Sequence, residues 1–332
     1  MTLEEVRRRF LEYTDPALRS ICQQVARDAE LLALAAKARD GSYMPYFFLS
    51  CVRYLFLKDS RHPLAAAVIS GEVSPAQYPL FRSYCLEQAP TLKRLLATAR
   101  TQTNDVQRSA VLFPAFCLAS KRSDGRPLGL VEVGASAALN LCWDKYRHHY
   151  GELGCFGAKD SPVQLRLDWR GAPPSHSLLS VPKVGARIAI DLEPIDLENE
   201  DQVCWLRSFT TDTSGLLEAA IGVARGTQIR TIRGDAVEQL ASAVESLPPE
   251  VTACVFHSYC TYQFSEPAYQ RFGALIAQLG QTRALHWISL EGQSLELASF
   301  RPGHAPTRDL LATTDLVGGV HRFFSWNYAG NT

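Results

Sequence analysis

The sequence has no excess of charge of either sign. Its 332 residues carry 34 basic and 34 acidic side chains, so the formal net charge is zero. A polyanion such as DNA, or an anionic membrane surface, is drawn in by a global positive field, and this chain provides none. The balance therefore argues against a nucleic-acid or membrane partner and favours a small-molecule ligand.

Long apolar runs and paired cysteine motifs are also missing. Every apolar window is interrupted well short of the roughly 20 residues that a membrane span needs, and no basic leader opens the chain. The nine cysteines are an odd number without a C-x-x-C pair, and most have apolar neighbours, which is typical of buried free thiols in a reducing compartment. We therefore expect a cytoplasmic protein without a membrane span.

Metal and dinucleotide signatures are absent as well. The eight histidines form no H-E-x-x-H motif and no close His/Cys spacing, so we expect no dedicated metal site. A G-x-G-x-x-G motif is missing, which disfavours a dehydrogenase. No pattern in the sequence indicates an oligomeric state.

The texture of the chain changes near residue 125. Before it, apolar residues recur at three-to-four spacing after a Thr2-x-x-Glu5 capping box, which predicts helices. The polar segment 121–127 then gives the strongest linker signal. After it, short apolar runs alternate with helical stretches over Leu128–Val133, Arg187–Ile190, Gln228–Ile232, Val251–His257, Ala284–Leu290 and His321–Trp326. This order predicts an α/β domain over 126–332, with helices on both faces of a mostly parallel sheet, preceded by an all-helical capping domain over 1–125.

An insertion is expected within the second domain. About 40 residues, 147–186, separate the first helix-like stretch from the second strand, more than the short connection usual in a βαβ unit. Within them VQLRLDWRG alternates like an exposed strand. We expect a small hairpin near the mouth of the crevice.

Polar groups follow the ends of four predicted strands. The first strand runs into small residues, Gly134 to Ala138, and then into a helix-like stretch whose first N–H groups could bind an electron-rich ligand. The next three strand ends carry, in order, Asp191, then Arg233-Gly234-Asp235, then His257-Ser258-Tyr259. Ligands of open α/β sheets bind outside the carboxyl ends of the strands, so these groups should converge on one crevice.

These motifs resemble those of the class I S-adenosylmethionine-dependent methyltransferases over residues 128–326. The whole chain resembles more closely a bacterial family of uncharacterised proteins with that fold, through EVGASAALNLCWDKY, IDLEPIDL, RGDA, VFHS and SLEG. The resemblance implies a Rossmann-like methyltransferase sheet and S-adenosylmethionine as cofactor. The cofactor-binding residues that it implies are Glu132, Gly134, Ser136, Ala138, Asp191 and Asp235. The resemblance further implies that Asp191 would hold the ribose of the cofactor and that Asp235 would face its adenine amino group.

The chain departs from that family in two places. Ser136 and Ala138 stand where the second and third glycines are expected. No Asp/Asn-Pro-Pro-Tyr follows the fourth strand, which argues against methylation of a nucleobase or glutamine amino group.

The methyl acceptor should lie near the ends of the first and fourth strands. His257 is the best candidate for a general base, because a near-neutral imidazole can take a proton from a hydroxyl or carboxylic acceptor. Tyr259 could wall the methyl group. Asn104 and Arg108 are four residues apart on one helix face, where Arg108 could pair with an acidic group of a small acceptor.

Two other functions stay open. A binding protein could keep the nucleotide crevice without turnover. A serine hydrolase could use Ser136 in a nucleophile elbow with His286, His304 or His321, although only helices precede this turn, whereas α/β-hydrolases place several strands there.

Overall fold

The computed structural model describes residues 2–15, 18–39, 44–170, 173–212, 214–317 and 320–328, and only the backbone over 315–317 and 320–324. The chain forms two compact units. One consists of residues 1–103 and 195–215, and the other of residues 104–194 and 216–332. In the described part of the chain, no helix has both the length and the apolar character required to cross a membrane.

The first unit is built from helices. They are α1 (Leu3–Leu11), α2 (Arg19–Val25), α3 (Ala29–Ala35), α4 (Met44–Lys58), α5 (Ala65–Ser70), α6 (Tyr78–Glu87), α7 (Ala89–Thr98) and α9 (Glu200–Arg207). Its core includes Phe10, Phe48 and Phe209. The buried guanidinium of Arg53 donates 2.9 Å hydrogen bonds to the backbone oxygens of Ile69 and Ser208. The returning segment 195–215 is thus part of this unit's core.

The second unit contains the sheets. Its strands are β1 (Leu128–Val133), β2 (Arg147–His149), β3 (Cys155–Gly157), β4 (Gln164–Arg166), β5 (Asp168–Trp169), β6 (Val184–Asp191), β7 (Arg230–Arg233), β8 (Thr252–Ser258), β9 (Leu285–Glu291), β10 (Ser294–Phe300), β11 (Thr307–Val317) and β12 (Val320–Trp326). Its helices are α8 (Arg108–Lys121), α10 (Leu216–Arg225), α11 (Ala236–Glu245) and α12 (Glu266–Thr282).

The large sheet has nine strands in the order β5-β12-β11-β10-β9-β8-β1-β6-β7. The five strands from β9 to β7 are parallel, and β10, β11 and β12 continue the sheet antiparallel to one another. The α/β class and the mostly parallel sheet are confirmed. From β1 the chain proceeds outward to β6 and β7, and from β8 it proceeds to β9 on the other side. The order therefore reverses between β1 and β8, which is where open sheets of this kind bind ligands.

Alternation along the strands assigns each side chain to one face of the sheet. Val131 and Val255 lie in a core with Phe272 and Ile276 of α12 and with residues of α11. On the opposite face, Phe256 meets Phe116 of α8, with ring centroids 5.0 Å apart. Helices therefore cover both faces.

Helix α8 belongs to the second unit, so the first boundary between the units lies earlier than expected. We expected it to belong with the helices before residue 125, but the division falls between Thr103 and Asn104. Residues 195–215 also belong to the first unit. Eleven of the 14 residues of α8 are buried. A helix that is apolar on all sides belongs in a core, and α8 packs on the sheet through Phe116.

The insertion forms a small sheet rather than a hairpin alone. Strands β2 and β3 pair antiparallel, and β4 adds to β2 in parallel, giving the order β3-β2-β4. The alternating segment VQLRLDWRG is divided between two sheets, because β5 pairs with β12 at the edge of the large sheet.

Candidate functional site

The loop after β1 keeps a glycine-like backbone at positions without glycine. Gly134, Ser136 and Ala138 have φ values of 70°, 51° and 58°. The left-handed region costs a non-glycine residue roughly 1–2 kcal/mol. Ser136 and Ala138 are thus held in a backbone conformation that favours glycine. Backbone strain of this kind is characteristic of ligand sites.

Side-chain oxygens accept hydrogen bonds from backbone N–H groups in this loop and at the start of the helix after it. The stretch after the loop, Leu139–Lys145, is a 3₁₀-helix. The N–H of Ser136 donates to Asp191 Oδ2 at 2.8 Å, and the N–H of Leu139 donates to Asn104 Oδ1 at 2.9 Å. The expectation of a free N–H group at the start of this helix was therefore wrong for Leu139, because the amide side chain of Asn104 accepts that N–H.

Asp191 and Asp235 follow neighbouring strands. Asp191 ends β6, and its two oxygens accept the N–H groups of Ser136 and Glu193. A carboxylate offers about four acceptor positions, so Asp191 keeps capacity for ligand hydroxyls. Asp235 is exposed and caps α11 by accepting from the N–H of Val237 at 2.8 Å. The N–H of Gly234 donates to the carbonyl of Asp191, which joins the two strand ends.

Glu132 is a buried acid with an unused oxygen. It lies one residue before the end of β1, its residue is 1% exposed, and its Oε2 has no hydrogen-bond partner among the described residues. Burial raises the pKa of Glu132 well above its ordinary value, the positive charge of Arg108 lowers it, and the negative charge of Asp191 raises it further. A buried carboxyl oxygen that has no partner among the described residues, beside a strained loop, marks a candidate ligand site.

Arg108 and Tyr259 come together after β8. Arg108 Nη1 donates to the carbonyl of Ser258 at 3.1 Å, and its guanidinium lies 4.8 Å from the ring centroid of Tyr259. Tyr259 has a φ of 49°, a further strained non-glycine residue at this edge of the sheet. Burial raises the pKa of Tyr259 to about 12, so its hydroxyl stays protonated at neutral pH.

Asn104 uses both ends of its amide on the loop after β1. Its Oδ1 accepts from Leu139, and its Nδ2 donates to the carbonyl of Ala135 at 3.3 Å. Asn104 is 8% exposed. Asn104, which we predicted to contact the methyl acceptor, therefore supports the loop after β1 through hydrogen bonds to its backbone.

His257 lies on the other face of the sheet from Glu132. It is opposite Val133 in the register, and its ring packs near Phe272 and Trp287 with centroids 5.9 and 6.0 Å away. Its side chain is fully buried. The structure therefore does not bring His257 together with Glu132, Arg108 and Tyr259.

Glu291 is the partner of His257 and was missed by sequence reasoning. Its Oε1 lies 2.8 Å from His257 Nδ1 and accepts from the N–H groups of Cys260 and Thr261 at 2.8 and 3.0 Å. Burial raises the pKa of Glu291, but these hydrogen bonds outweigh it, so the pKa is lowered overall. Its position at the carboxyl end of β9, in SLEG, was the available signal. Glu291 fixes the loop that carries Tyr259.

The residues proposed for a hydrolase are separated. Ser136 Oγ is buried and has no hydrogen-bond partner among the described residues. His286 lies near the start of β9, bonded to Ser123 and Ser299, and His304 lies in an exposed turn. The side chain of His321 is outside the described residues.

The fold and the strand ends together define an α/β protein with polar side chains at the carboxyl edge of its parallel strands. The chain belongs to the family described as "Uncharacterized protein conserved in bacteria (DUF2332)", which matches residues 12–323. No curated protein matches the chain.

Proposed function

We propose that the protein is an S-adenosylmethionine-dependent methyltransferase that acts on a small acceptor. The observation that carries the proposal is the succession of Glu132, Asp191 and Asp235 at three adjacent strand ends, beside the strained loop 134–138 at the switch point of the sheet. This arrangement supports a Rossmann-like binding mode, in which the cofactor would lie across the ends of β1, β6 and β7.

The residues present fit such a cofactor. Asp191 would accept the ribose hydroxyls with its remaining acceptor positions, and Asp235 would face the adenine amino group. The unused Oε2 of Glu132 suits the cationic amino group of the methionine portion. When bound, the sulfonium supplies an activated methyl group, so the chain has to bind, orient and exclude water.

The acceptor would lie between the loops after β1 and β8. Arg108 is held over Tyr259 there, and a guanidinium at this position favours an acceptor with a carboxylate or phosphate. Tyr259 would wall the methyl group. An acceptor that needs deprotonation would not meet His257 directly, because that imidazole is buried on the other face and paired with Glu291.

Calorimetry with S-adenosylmethionine and S-adenosylhomocysteine tests the proposal. We expect submillimolar binding of both, and at least about tenfold weaker binding by Asp191→Asn, since a hydrogen bond to a charged group contributes roughly 1.5–3 kcal/mol. Asp196→Asn is the matched control, because its carboxylate accepts from the backbone of Glu198 beyond the strand end. Absence of binding by the wild-type protein would end the proposal.

A binding protein without turnover is the second candidate. The burial of His257 favours it, because the crevice then lacks the base that sequence reasoning assigned to it. The two functions separate by turnover. Methyl transfer to any member of a panel of small carboxylic or phosphorylated metabolites would exclude the binding protein, and persistent binding without transfer would favour it.

A further inference from the structure

The small sheet β3-β2-β4 has one buried face and one face toward solvent. His148, Phe156 and Leu165 are buried at its three central positions, and the flanking positions are partly or fully exposed. Residues paired across neighbouring strands point to the same face. The outer face therefore carries Arg147, His149, Cys155, Gln164 and Arg166.

Three of these side chains form a hydrogen-bonded chain. Cys155 Sγ lies 2.9 Å from His149 Nδ1, and His149 Nε2 lies 2.5 Å from Gln164 Oε1. Gln164 Nε2 donates to the carbonyl of Ser161, so Oε1 is the end of the amide that faces His149. Since Oε1 can only accept, Nε2 of His149 carries the proton and Nδ1 is free to accept the thiol proton.

This is the arrangement that activates a nucleophilic cysteine. A base within hydrogen-bond distance takes the thiol proton, and a third group orients the base. The turn between His149 and Cys155 brings them together, with Gly151 and Gly154 at φ values of 56° and 94°. None of these residues belongs to the crevice at the strand ends.

Cys155 also differs from the other cysteines of the chain, all of which lie among the described residues. Seven of them are buried and Cys260 is half-buried, whereas Cys155 is exposed. The expectation of buried thiols was therefore wrong for Cys155. Burial raises the pKa of Cys142 to about 11 and of Cys22 to about 12, so these two remain protonated at neutral pH.

We propose that the outer face of the small sheet is a reactive-thiol site at which Cys155 exchanges with small anionic disulfides. Cys155 gives its proton to His149 Nδ1, and the thiolate attacks one sulfur of the disulfide. A new S–S bond forms and the original one breaks, so the Cys155 sulfur is oxidised and the disulfide is reduced. The departing thiolate leaves as an anion or takes the proton from His149. Arg147 and Arg166, on the same face, favour an anionic partner.

The test is the rate of reaction with dithiobis(nitrobenzoate), an anionic disulfide, followed by the coloured thiolate that it releases. An ordinary thiol, half-ionised near pH 8.5, keeps less than about 1% of its pH 9 rate at pH 6. We expect one thiol of the full chain to react at pH 6 at no less than about a tenth of its own rate at pH 9. Cys155→Ser should abolish this fast reaction at pH 6.

Two variants separate activation from exposure. His149→Asn should lower the rate at pH 6 at least about tenfold and change the rate at pH 9 little, and Gln164→Ala should have a smaller effect in the same direction. Unchanged circular dichroism controls for folding. If His149→Asn keeps the wild-type rate profile, or if the wild-type rate falls like that of an ordinary thiol, the proposal is overturned.

A neutral disulfide, dithiodipyridine, tests the choice of partner. Arg166→Ser should slow the anionic reagent at least about threefold and leave the neutral one unchanged, because only the former gains from the positive charge. An equal effect on both reagents would refute the preference for anions.

Discussion

Glu132→Gln tests the electrostatics of the crevice. The carboxyl of Glu132 is fully buried and its pKa is raised well above the ordinary value of 4.5, chiefly by burial. As pH rises above 4.5 the unfolded chain releases this proton while the folded chain keeps it, so the wild-type protein loses stability with rising pH. The loss continues until the folded carboxyl ionises. Glutamine cannot ionise and does not contribute this dependence.

The magnitude follows from one proton. Each pH unit over which only the folded carboxyl keeps its proton lowers the free energy of unfolding by about 1.4 kcal/mol, so between pH 5 and 6.5 the wild-type protein should lose stability relative to Glu132→Gln at up to that rate. Urea unfolding of both proteins at matched pH values measures the difference, in which the other titrating groups cancel. A difference that stays constant over this range would refute a buried, neutral Glu132.

Three further predictions concern residues that support the crevice and the sheet. Glu291 has a lowered pKa, so Glu291→Gln should destabilise more at pH 7 than at pH 4, the opposite sign to Glu132→Gln, in the same urea titration. Asn104→Ala leaves the buried N–H of Leu139 without its partner and removes one of the two hydrogen bonds that the carbonyl of Ala135 accepts, so it should cost about 1–3 kcal/mol of unfolding free energy. Asn104→Asp, which keeps the acceptor, should cost less, and equal losses would contradict this role. Burial lowers the pKa of His286 to about 4, so between pH 7 and 5 the wild-type protein should lose about 2 kcal/mol more than His286→Gln. Thermal melts of both proteins at pH 7 and 5 measure this change. A stability difference between them that is the same at both pH values would contradict a buried, neutral His286.

The sequence was sufficient to predict the parallel half of the sheet and the polar groups at its edge. Strand-to-helix alternation and the position of Asp191 after ARIAI are local features, and the carboxyl edge of a parallel sheet collects whatever follows each strand. The same alternation could have shown that His257 faces away from Glu132, since neighbouring strands in register share their faces, but the register itself is not written in the sequence.

Other features depended on packing between distant segments. Helix α8 has the same helical sequence pattern as the helices before it. Only its contacts with Phe256 and Trp143 assign it to the sheet unit. Cys155 was predicted, with the other eight cysteines, to be a buried thiol, although it lies on the exposed face of a strand. Gln164, which orients His149, lies 15 residues after it on another strand, a pairing that no periodicity indicates.

The return of residues 195–215 to the first unit has a consequence for the order of synthesis. Phe209 belongs to the core of that unit, and Arg53 is bonded to the backbone of Ser208. A growing chain must therefore complete β1 to β6 before the amino-terminal unit receives its last core residues. Domains usually fold in sequence from the amino terminus. Here the first unit cannot finish folding until residues 195–215 have been made, and a fragment that ends at Thr103 should remain unfolded.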